Sequence, residues 1–530
     1  MNKLAQYLNQ HLVGEVITDS TVLARLSTDN GPIKITPEMA VFPRNTNDIR
    51  KLMRFTWQLA EKGHKLPVTA RGFGTSFTAG AVGSGVVVSL NSHMNTIFEY
   101  DGKQRLVRLQ PGVSVDTLQN ALNLQGVTIP AFEYSDGDAT VGGMLANSSL
   151  PHQGEAVEQL EVVLSNGDVL QTKRLTKREL NKIKGKQGFE ADVYRAVDGL
   201  IEENKELIDK MLASEQVGYN SLSRVKQKDG SFDLTPLFLG SQGTLGVISE
   251  MILKADYLGS DKQIVIGAFS DATKARDAVD EVAQVAPSFF GYYSEQVIKS
   301  AIKSGKTFSF LDEEQTPATV LIAILSDVSA RAQAKKAKKL AKIFGKYEGR
   351  VSASEDLYGG ELANSLSINA LADQSGTAGA AMSIIDKAYV PLERFDEYQT
   401  GLAEIAKKLH TELALYGEPL EGLWSVRPVI NLKTVGGKQT VFKLIDEYSQ
   451  LVTQCGGYLA GGYGEGRLQS YSAHKQLDDE VKDLFQKLKA IFDPQDVLNP
   501  GVKQELGIKK LAESLRSDFA SQNIDALPRV

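Results

Sequence analysis

The stretch Arg71-Gly-Phe-Gly-Thr-Ser-Phe-Thr-Ala-Gly80 decides how the rest of this chain is interpreted. It follows an apolar run, Leu66–Ala70, that predicts a short strand. Gly72 and Gly74 have no side chains, so the backbone there turns tightly and approaches a ligand closely. Successive amide groups then point into one concavity, which suits an anion such as a pyrophosphate. Thr75 and Ser76 add hydroxyl donors and Arg71 adds a positive charge, which strengthens this prediction.

Two commoner phosphate-binding patterns do not fit the sequence. A Rossmann fingerprint requires G-x-G-x-x-G at the opening of a helix, but its third glycine position is Phe77. A Walker A loop requires G-x-x-x-x-G-K-[ST], and the run Gly436-Gly437-Lys438 is followed by Gln439. The sequence therefore argues against a nicotinamide-binding fingerprint and against a P-loop.

The composition limits the classes of protein to consider. A chain of 530 residues is too long for one ordinary core, which predicts two or more domains. The net charge of −6 provides no basic footprint, so nucleic acid is not expected as the main partner. Cys455 is the only cysteine, which excludes an internal disulfide and a cysteine-ligated zinc or iron–sulfur site within this sequence. A single cysteine also fits a reducing compartment.

The hydropathy pattern indicates neither a leader nor a membrane anchor. The first seven residues, MNKLAQY, lack an apolar core of the kind found in signal peptides. No uninterrupted apolar run reaches membrane-spanning length. We therefore expect a cytoplasmic protein without a membrane span, and the sequence leaves peripheral contact with a membrane open.

The first half of the chain has the pattern of strand-rich layers with helices outside them. A helix is predicted over Thr46–Leu59, and short buried strands are predicted over Val86–Leu90 and Leu106–Leu109. Asn166-Gly167 between two apolar runs predicts a hairpin. The pattern changes around Ala255–Ser260, which predicts a boundary to a second domain that mixes helices and strands.

Three further glycine-bearing segments accompany the first loop. They are Ser135-Asp-Gly-Asp-Ala-Thr-Val-Gly-Gly-Met-Leu-Ala-Asn147, Gly240-Ser-Gln-Gly-Thr-Leu-Gly-Val-Ile248 and Phe492-Asp-Pro-Gln-Asp-Val-Leu-Asn-Pro-Gly501. Each segment alone is compatible with a structural turn. All four together, in this order, predict backbone surfaces that enclose one flat, anionic ligand.

With these four segments the chain resembles the FAD flavoproteins of the vanillyl-alcohol oxidase type. More narrowly, it is similar to the bacterial D-2-hydroxyacid dehydrogenase branch, which includes D-lactate, glycolate and D-2-hydroxyglutarate dehydrogenases. The resemblance implies an α+β fold in which a two-part, PCMH-type FAD-binding domain is joined to an α+β substrate cap domain. The domains it implies are 1–255 for FAD, 256–475 for the cap, 476–503 for a C-terminal return to the FAD domain, and 504–530 for a peripheral tail.

The resemblance also implies which residues hold FAD. The first loop would cradle the pyrophosphate through backbone amides, and the other segments would line the flavin, ribityl chain and adenine. The residues implied are Arg71, Gly72, Phe73, Gly74, Thr75, Ser76, Thr140, Val141, Gly142, Gly143, Asn147, Gly243, Gly246, Ile248 and Asn499. Related oxidases link FAD covalently to a histidine in or near this loop, and residues 70–80 contain none, so we expect non-covalent FAD.

The metal site of the relatives has no counterpart in this sequence. In relatives, histidines and a glutamate on segments resembling G-H-x-x-x-G-x-x-H-V-R-P and G-E-H-G-D-G hold a divalent metal. Here the two histidine positions of the first segment are Glu418 and Ser425. In the second segment the Glu-His pair is replaced by Gly462-Tyr463. One remaining carboxylate does not make a site, so we predict no catalytic metal.

Three residues are candidates for the chemistry, and each has an alternative structural role. Arg427 is interpreted either as a clamp for a substrate carboxylate or as half of a salt bridge beneath the cap. Tyr463 either donates a hydrogen bond to a substrate oxygen or fills volume. Glu465, at the position of the family Asp, is either a base or the ion-pair partner of Arg467.

Two classes of function remain open from the sequence. The first is an FAD-dependent oxidoreductase that oxidises a small hydroxylated substrate by hydride transfer, as a dehydrogenase rather than an oxidase. Its electrons would pass to a protein, a quinone or dioxygen. The second is a flavin-binding protein or complex subunit with little intrinsic turnover, in which any iron–sulfur cluster would lie on another polypeptide.

Overall fold

The computed structural model describes residues 3–132, 139–148, 151–211, 215, 217–259, 262–303, 316–326, 329–354, 375–376, 379–381 and 384–517. The chain forms two compact units. The first comprises residues 1–256 and 460–516, and the second comprises residues 257–459. Each unit mixes helices with sheets, so the predicted α+β class is confirmed.

The first unit is built around two sheets. Its elements up to the boundary are α1 (Lys3–His11), β1 (Glu15–Ile17), α2 (Ser20–Leu26), β2 (Met39–Phe42), α3 (Thr46–Glu61), β3 (Val68–Arg71), β4 (Val86–Ser89), β5 (Ile97–Asp101), β6 (Leu106–Leu109), α4 (Val115–Asn123), β7 (Val127–Thr128), α5 (Val141–Asn147), α6 (Pro151–Glu155), β8 (Val157–Val163), β9 (Val169–Gln171), α7 (Lys177–Lys184), α8 (Phe189–Glu203), α9 (Lys205–Ile208), α10 (Thr235–Phe238), β10 (Val247–Lys254) and β11 (Asp256–Tyr257). One sheet has the order β1-β2-β4-β3 and the other β5-β6-β10-β8-β9.

The glycine-rich loop begins where β3 ends, at the edge of the first sheet. Strands β2 and β3 both run parallel to the fully buried strand β4. Helix α3 packs Ile49, Leu52 and Met53 into the same apolar cluster as these strands. The burial of β4 and of this helix face fixes β3, so the loop after Arg71 starts from a rigid base.

The second unit contains one large sheet with helices on it. Its elements are β12 (Gln263–Phe269), α11 (Ala272–Ala283), β13 (Phe289–Ser294), α12 (Glu295–Lys303), β14 (Thr319–Leu325), α13 (Ala330–Lys346), β15 (Arg350–Ser354), β16 (Ser375–Gly376), β17 (Gly379–Ala381), β18 (Ile385–Tyr389), α14 (Phe395–Leu409), β19 (Leu413–Glu418), β20 (Leu423–Ile430) and α15 (Val435–Gln454). The strand order is β15-β12-β14-β13-β19-β20-β17-β16, and β18 pairs with β20 beside them.

The two faces of β20 have different environments. Trp424 stacks on Phe395 of α14 with ring centroids 4.4 Å apart, so this face packs against a helix. Because side chains alternate along a strand, Ser425 and Arg427 lie on the opposite face. The register of β19 against β20 puts Tyr416 beside Ser425 on that second face.

The chain then returns to the first unit through α16 (Ser470–Lys475), α17 (Asp479–Phe492) and α18 (Ile508–Glu513). Leu498 forms a parallel bridge with Val68 of β3. The Ser165 hydroxyl donates to the Phe492 carbonyl over 2.6 Å. These contacts attach the fourth glycine-bearing segment to both sheets of the first unit.

A buried ion pair holds the start of that fourth segment. Lys489 and Asp493 form a salt bridge and are 4% and 2% exposed. The Lys489 ammonium also donates to the carbonyls of Thr244 and Leu498, each over 2.8 Å. The Asp493 carboxylate accepts from the amides of Val497 (3.1 Å) and Leu498 (2.7 Å). The turn is therefore ordered by charge-assisted hydrogen bonds.

Candidate functional site

A cavity in the first unit is lined by residues from all of the first three glycine-bearing segments. Its empty volume, which includes space open to solvent, is about 1130 Å³. The predicted residues that line it are Arg71, Gly72, Phe73, Gly74, Thr75, Ser76, Thr140, Gly142, Gly143, Asn147, Gly243, Gly246, Ile248 and Tyr463. Val141, Asn499 and Glu465 are not among its lining residues. Residues 135–138, which open the second segment, lie outside the described part of the chain.

Glycines let these segments approach one another at the cavity wall. A Cβ atom on Gly72 would lie 2.1 Å from Thr140 Oγ1, and one on Gly142 would lie 2.4 Å from Pro111 Cβ. Both distances are far shorter than a side chain tolerates, so the bare backbone of Gly72 packs against the Thr140 side chain, and that of Gly142 packs against Pro111. Thr140 also caps α5, since its hydroxyl accepts from the Gly143 amide over 3.1 Å.

The Arg71 guanidinium lies buried beneath the first loop. Its Nη1 donates to the carbonyl of Ala81 over 3.3 Å, while its Nη2 has no hydrogen-bond partner in the described residues. Gly74 has a φ of +73°, and a Cβ there would lie 2.2 Å from that Nη2. Burial lowers the pKa of Arg71 to about 10, and the charge of Asp29 opposes this shift.

This arrangement fits the phosphate portion of a dinucleotide cofactor. A buried donor without a partner is costly unless a ligand satisfies it. Backbone amides in a glycine-rich turn form an anion-binding concavity, and a cation behind the turn strengthens it.

Burial raises the pKa of Asp29 to about 6, although amides of Gly31 and Ala79 hydrogen-bond to its carboxylate.

Asn499 connects several loops behind the cavity rather than lining it. Its Oδ1 accepts from Thr69 Oγ1 (3.0 Å) and Arg467 Nη2 (2.8 Å). Its Nδ2 donates to the carbonyls of Gly80 (2.8 Å) and Gln242 (2.7 Å). The Asn499 amide, which can donate twice and accept twice, therefore makes all four of its hydrogen bonds within the protein. These bonds join β3, the first loop and the third segment.

Gln242 of the third glycine-bearing segment links the second segment to the turn around Gly466. Its Nε2 donates to Asn147 Oδ1 over 2.7 Å, and its Oε1 accepts from the Gly466 amide over 3.0 Å. The Gly464 amide donates to the Asn147 carbonyl over 2.6 Å. An amide side chain both donates and accepts, which an ionised carboxylate does not. Gln242 therefore suits its two partners better than Glu would.

Glu465 is fully buried and engaged by partners other than the one expected. Its Oε1 accepts from the Gly218 amide over 3.0 Å and is 2.9 Å from His474 Nε2, while Lys503 Nζ lies 3.0 Å from Oε2. Burial alone would raise the pKa of Glu465, but Lys503 and His474 lower it to about 2. Such a carboxylate is a poor base near neutral pH, which argues against the catalytic role considered above.

The expected ion pair between Glu465 and Arg467 is wrong. Arg467 Nη1 donates to the Ala79 carbonyl over 2.8 Å, and its Nη2 contacts Asn499 and the Pro500 carbonyl. The two side chains diverge from the same turn, so each finds its own partners. Sequence reasoning gave no role to Lys503 or His474, and the proximity of Lys503 to the fourth glycine-bearing segment was the only available signal.

Arg427 of the second unit is buried without an anionic partner. It is 2% exposed, and none of its three guanidinium nitrogens has a hydrogen-bond partner among the residues described. Its Cζ lies 5.9 Å from the ring centroid of Tyr416, on the neighbouring strand. An unpaired buried guanidinium is costly, and its fork of donors matches a carboxylate.

The positions of the family's histidine ligands hold a different arrangement here. Glu418 Oε1 forms an ion pair with Lys387 Nζ over 2.9 Å. The Ser425 hydroxyl accepts from the Lys387 amide over 3.0 Å. Within the described residues, no group of three His, Cys, Asp or Glu side chains has a geometry suited to a metal. Sequence reasoning missed Lys387, because only the pairing of β18 with β20 brings it to these positions.

Comparison with known domain families identifies both parts of the chain. Residues 37–173 match the FAD binding domain, and residues 259–502 match the C-terminal domain of FAD linked oxidases. The chain carries the two domains of an FAD-linked oxidase. The first match contains the glycine-rich loop and the second contains Arg427, so FAD is the cofactor that the cavity residues are suited to hold.

Curated relatives are similar to this chain along most of its length. It is 25% identical to the D-2-hydroxyglutarate dehydrogenase of Pantoea ananatis over 98% of this chain and 52% of the relative. It is 24% identical to the glycolate oxidase subunit GlcD of Bacillus subtilis, over 88% of each chain. It is 24% identical to the D-lactate dehydrogenase of Archaeoglobus fulgidus, over 89% of this chain and 94% of the relative. The chain spans about half the length of the D-2-hydroxyglutarate dehydrogenases it matches.

Solved structures confirm the fold of the chain. The 4-ethylphenol oxidase from Gulosibacter chungangensis aligns with a TM-score of 0.67 at 12% identity, covering 96% of this chain and 97% of that one. p-Cresol methylhydroxylase aligns with the same TM-score at 15% identity, covering 95% and 96%. The predicted resemblance to flavoproteins of the vanillyl-alcohol oxidase type is confirmed. No helix in the described ranges is long and apolar enough to span a bilayer.

Proposed function

We propose that this chain is an FAD-dependent dehydrogenase that oxidises the CH–OH group of a small hydroxy acid. The observation that carries the substrate class is Arg427, a buried guanidinium without an anion among the described residues. The named activities of the relatives, on D-2-hydroxyglutarate, glycolate and D-lactate, support the same class. When bound, FAD supplies a hydride acceptor for the substrate carbon.

The sequence predicts residues 1–255 and 476–503 for FAD, residues 256–475 for the substrate cap and residues 504–530 for a peripheral tail. We assign the domains in the same way, except that residues 460–475 belong to the first unit and are assigned to the FAD domain. The cavity of the first unit supports this assignment for the FAD domain. The face of β20 that carries Arg427 supports it for the cap.

We assign each of the other site residues a role in binding or catalysis. Backbone amides of the first loop and the charge of Arg71 bind the pyrophosphate. Arg427 orients the substrate through its carboxylate. Tyr463, which is half-buried at the cavity wall, donates a hydrogen bond to a substrate oxygen. Glu465 is a structural anion that orders the turn behind that wall. The electrons leave to an acceptor protein or a quinone.

Stopped-flow reduction tests the proposed activity. Purified flavoprotein is mixed anaerobically with a panel of hydroxy acids, polyols and sugars while the flavin absorbance is recorded. Bleaching by at least one hydroxy acid, and a loss of that bleaching in Arg427→Met, is the expected result. If no compound bleaches firmly bound flavin, the alternative of a flavin-binding protein or complex subunit with little turnover replaces the proposal.

Acid treatment is expected to separate FAD from the protein. Residues 70–80 contain no histidine to carry a covalent link, and the cavity offers hydrogen bonds and shape instead. Precipitation with acid should leave a colourless pellet and a yellow supernatant whose flavin is identified as FAD by mass. Colour that stays with the pellet would contradict non-covalent binding.

Removal of metal ions is expected to leave the activity unchanged. Glu418 is paired with Lys387, and Ser425 accepts a backbone hydrogen bond, so neither position is arranged as a ligand. Dialysis against a chelator followed by an activity assay measures the effect. Activity that falls and returns only with added zinc or manganese would overturn the prediction of a metal-free site.

A further inference from the structure

The charges on one sheet face of the second unit do not cancel. This face carries Arg427, Lys387 and Glu418, together with the aromatic rings of Tyr293 and Tyr416. Lys387 is neutralised by Glu418, and the two tyrosines are uncharged near neutral pH. The described residues of this face therefore leave one positive charge, that of Arg427, without compensation.

The strand register shows which side chains lie on the same face as a ligand bound at Arg427. The register of β19 against β20 pairs Glu418 with Leu423, Tyr416 with Ser425, and Ala414 with Arg427. Leu423 and Arg427 are four steps apart along the strand, about 13 Å. The Ser425 hydroxyl lies between these two positions, and the Lys387–Glu418 ion pair lies at the Leu423 end of the interval.

We propose that this face recognises a hydroxy acid with a single carboxylate, and that Glu418 is the residue that excludes a second one. The inference rests on the proposed function, since it takes Arg427 as the carboxylate clamp. The guanidinium fork of Arg427 binds the one carboxylate through two parallel hydrogen bonds. That ligand balances the charge of the face.

A second carboxylate on the same ligand meets an unfavourable environment. Where it lies towards the Lys387 ammonium, it finds that ammonium already held by the Glu418 carboxylate at 2.9 Å. The second carboxylate must displace Glu418 or lie beside it, and like charges at such separations repel. Glu418 thus acts by repulsion, which is one of the two ways in which a binding site discriminates between close analogues.

A matched pair of ligands that cannot be oxidised tests this inference. 2-Hydroxyisobutyrate has one carboxylate, and citramalate is the same molecule with a second carboxylate on one methyl group. Neither carries hydrogen on the hydroxyl-bearing carbon, so neither loses a hydride and binding is measured apart from turnover. Isothermal titration of the flavoprotein should give at least tenfold tighter binding of 2-hydroxyisobutyrate.

The substitution Glu418→Gln should reverse this preference. It keeps the size of the side chain but frees the Lys387 charge, so citramalate should gain tenfold or more while 2-hydroxyisobutyrate changes less than threefold. Glu421→Gln is the matched control, since Glu421 is exposed in the adjoining turn, and it should behave as the parent. The double change Lys387→Met with Glu418→Gln keeps the net charge and should bind the two acids about equally. It also provides a second variant if Glu418→Gln alone does not fold.

The outcomes separate this inference from the proposed function. If 2-hydroxyisobutyrate binds through Arg427 but the Glu418 variant keeps the parent's ratio, only the role of Glu418 is overturned. Parent protein that binds citramalate as tightly as 2-hydroxyisobutyrate also overturns it. If neither acid binds, or binding survives Arg427→Met, the carboxylate clamp fails and the inference fails with it.

Discussion

Arg427→Met is expected to raise the free energy of unfolding by about 1–4 kcal/mol and to abolish stabilisation by carboxylates. The range is the gain seen when a buried ion pair is replaced by apolar residues of similar volume, and here the buried charge has no hydrogen-bond partner to lose among the described residues. Arg427 is 2% exposed, and its guanidinium finds no hydrogen-bond partner within the described ranges. The folded protein therefore bears a cost that a bound carboxylate relieves, and methionine removes the cost together with the site.

Urea unfolding with and without a hydroxy acid measures both parts of this result. The parent should gain about 2.7 kcal/mol at a ligand concentration one hundred times its dissociation constant. Arg427→Met should gain nothing at the same concentration. Arg427→Lys keeps the charge but loses the fork, so its binding should weaken without an increase in stability. A clear loss of stability in Arg427→Met would instead show that Arg427 belongs to a structural salt bridge.

Lys489→Met is expected to lower the free energy of unfolding by about 3–5 kcal/mol. The substitution leaves the Asp493 carboxylate buried and without its cation, because both side chains are almost fully enclosed. It also leaves the carbonyls of Thr244 and Leu498 without the donor they now share. Each buried polar group that loses its partner adds to the cost.

Lys487→Met on the same helix is the control for this prediction. Lys487 forms an ion pair with Asp483, but its side chain is 58% exposed. Exposed pairs of this kind contribute little, so the change should stay within about 0.5 kcal/mol. Chemical unfolding of both variants gives the comparison. Equal effects of the two substitutions would contradict the structural role assigned to the buried pair.

Local patterns in the sequence predicted many elements of this fold. The strand predicted over Leu106–Leu109 has those bounds, and the helix predicted to start at Thr46 begins there and ends at Glu61. The hairpin centred on Asn166-Gly167 forms between β8 and β9, and Gly167 has a φ of +84°. Periodicity and turn chemistry act over a few residues, which is why one sequence is enough to find them.

The partners of buried polar groups were harder to predict because they depend on distant parts of the chain. Asn499 forms hydrogen bonds with Thr69 and Gln242, which lie hundreds of residues away in the sequence. No residue near Asn499 in the sequence indicates these partners. Glu465 was matched with its neighbour Arg467, whereas the fold supplies His474 and Lys503. The glycine-rich loop itself was found from sequence, because its function depends on backbone rather than on remote side chains.

Titration of FAD into protein stripped of its flavin tests the central claim most directly. The claim is that backbone amides of the first unit enclose one FAD molecule in the cavity between the glycine-bearing segments. The fluorescence of added FAD should change until one equivalent per chain is bound, and the flavin absorption bands should shift with it. Folded protein that stays colourless and takes up no FAD would contradict the account.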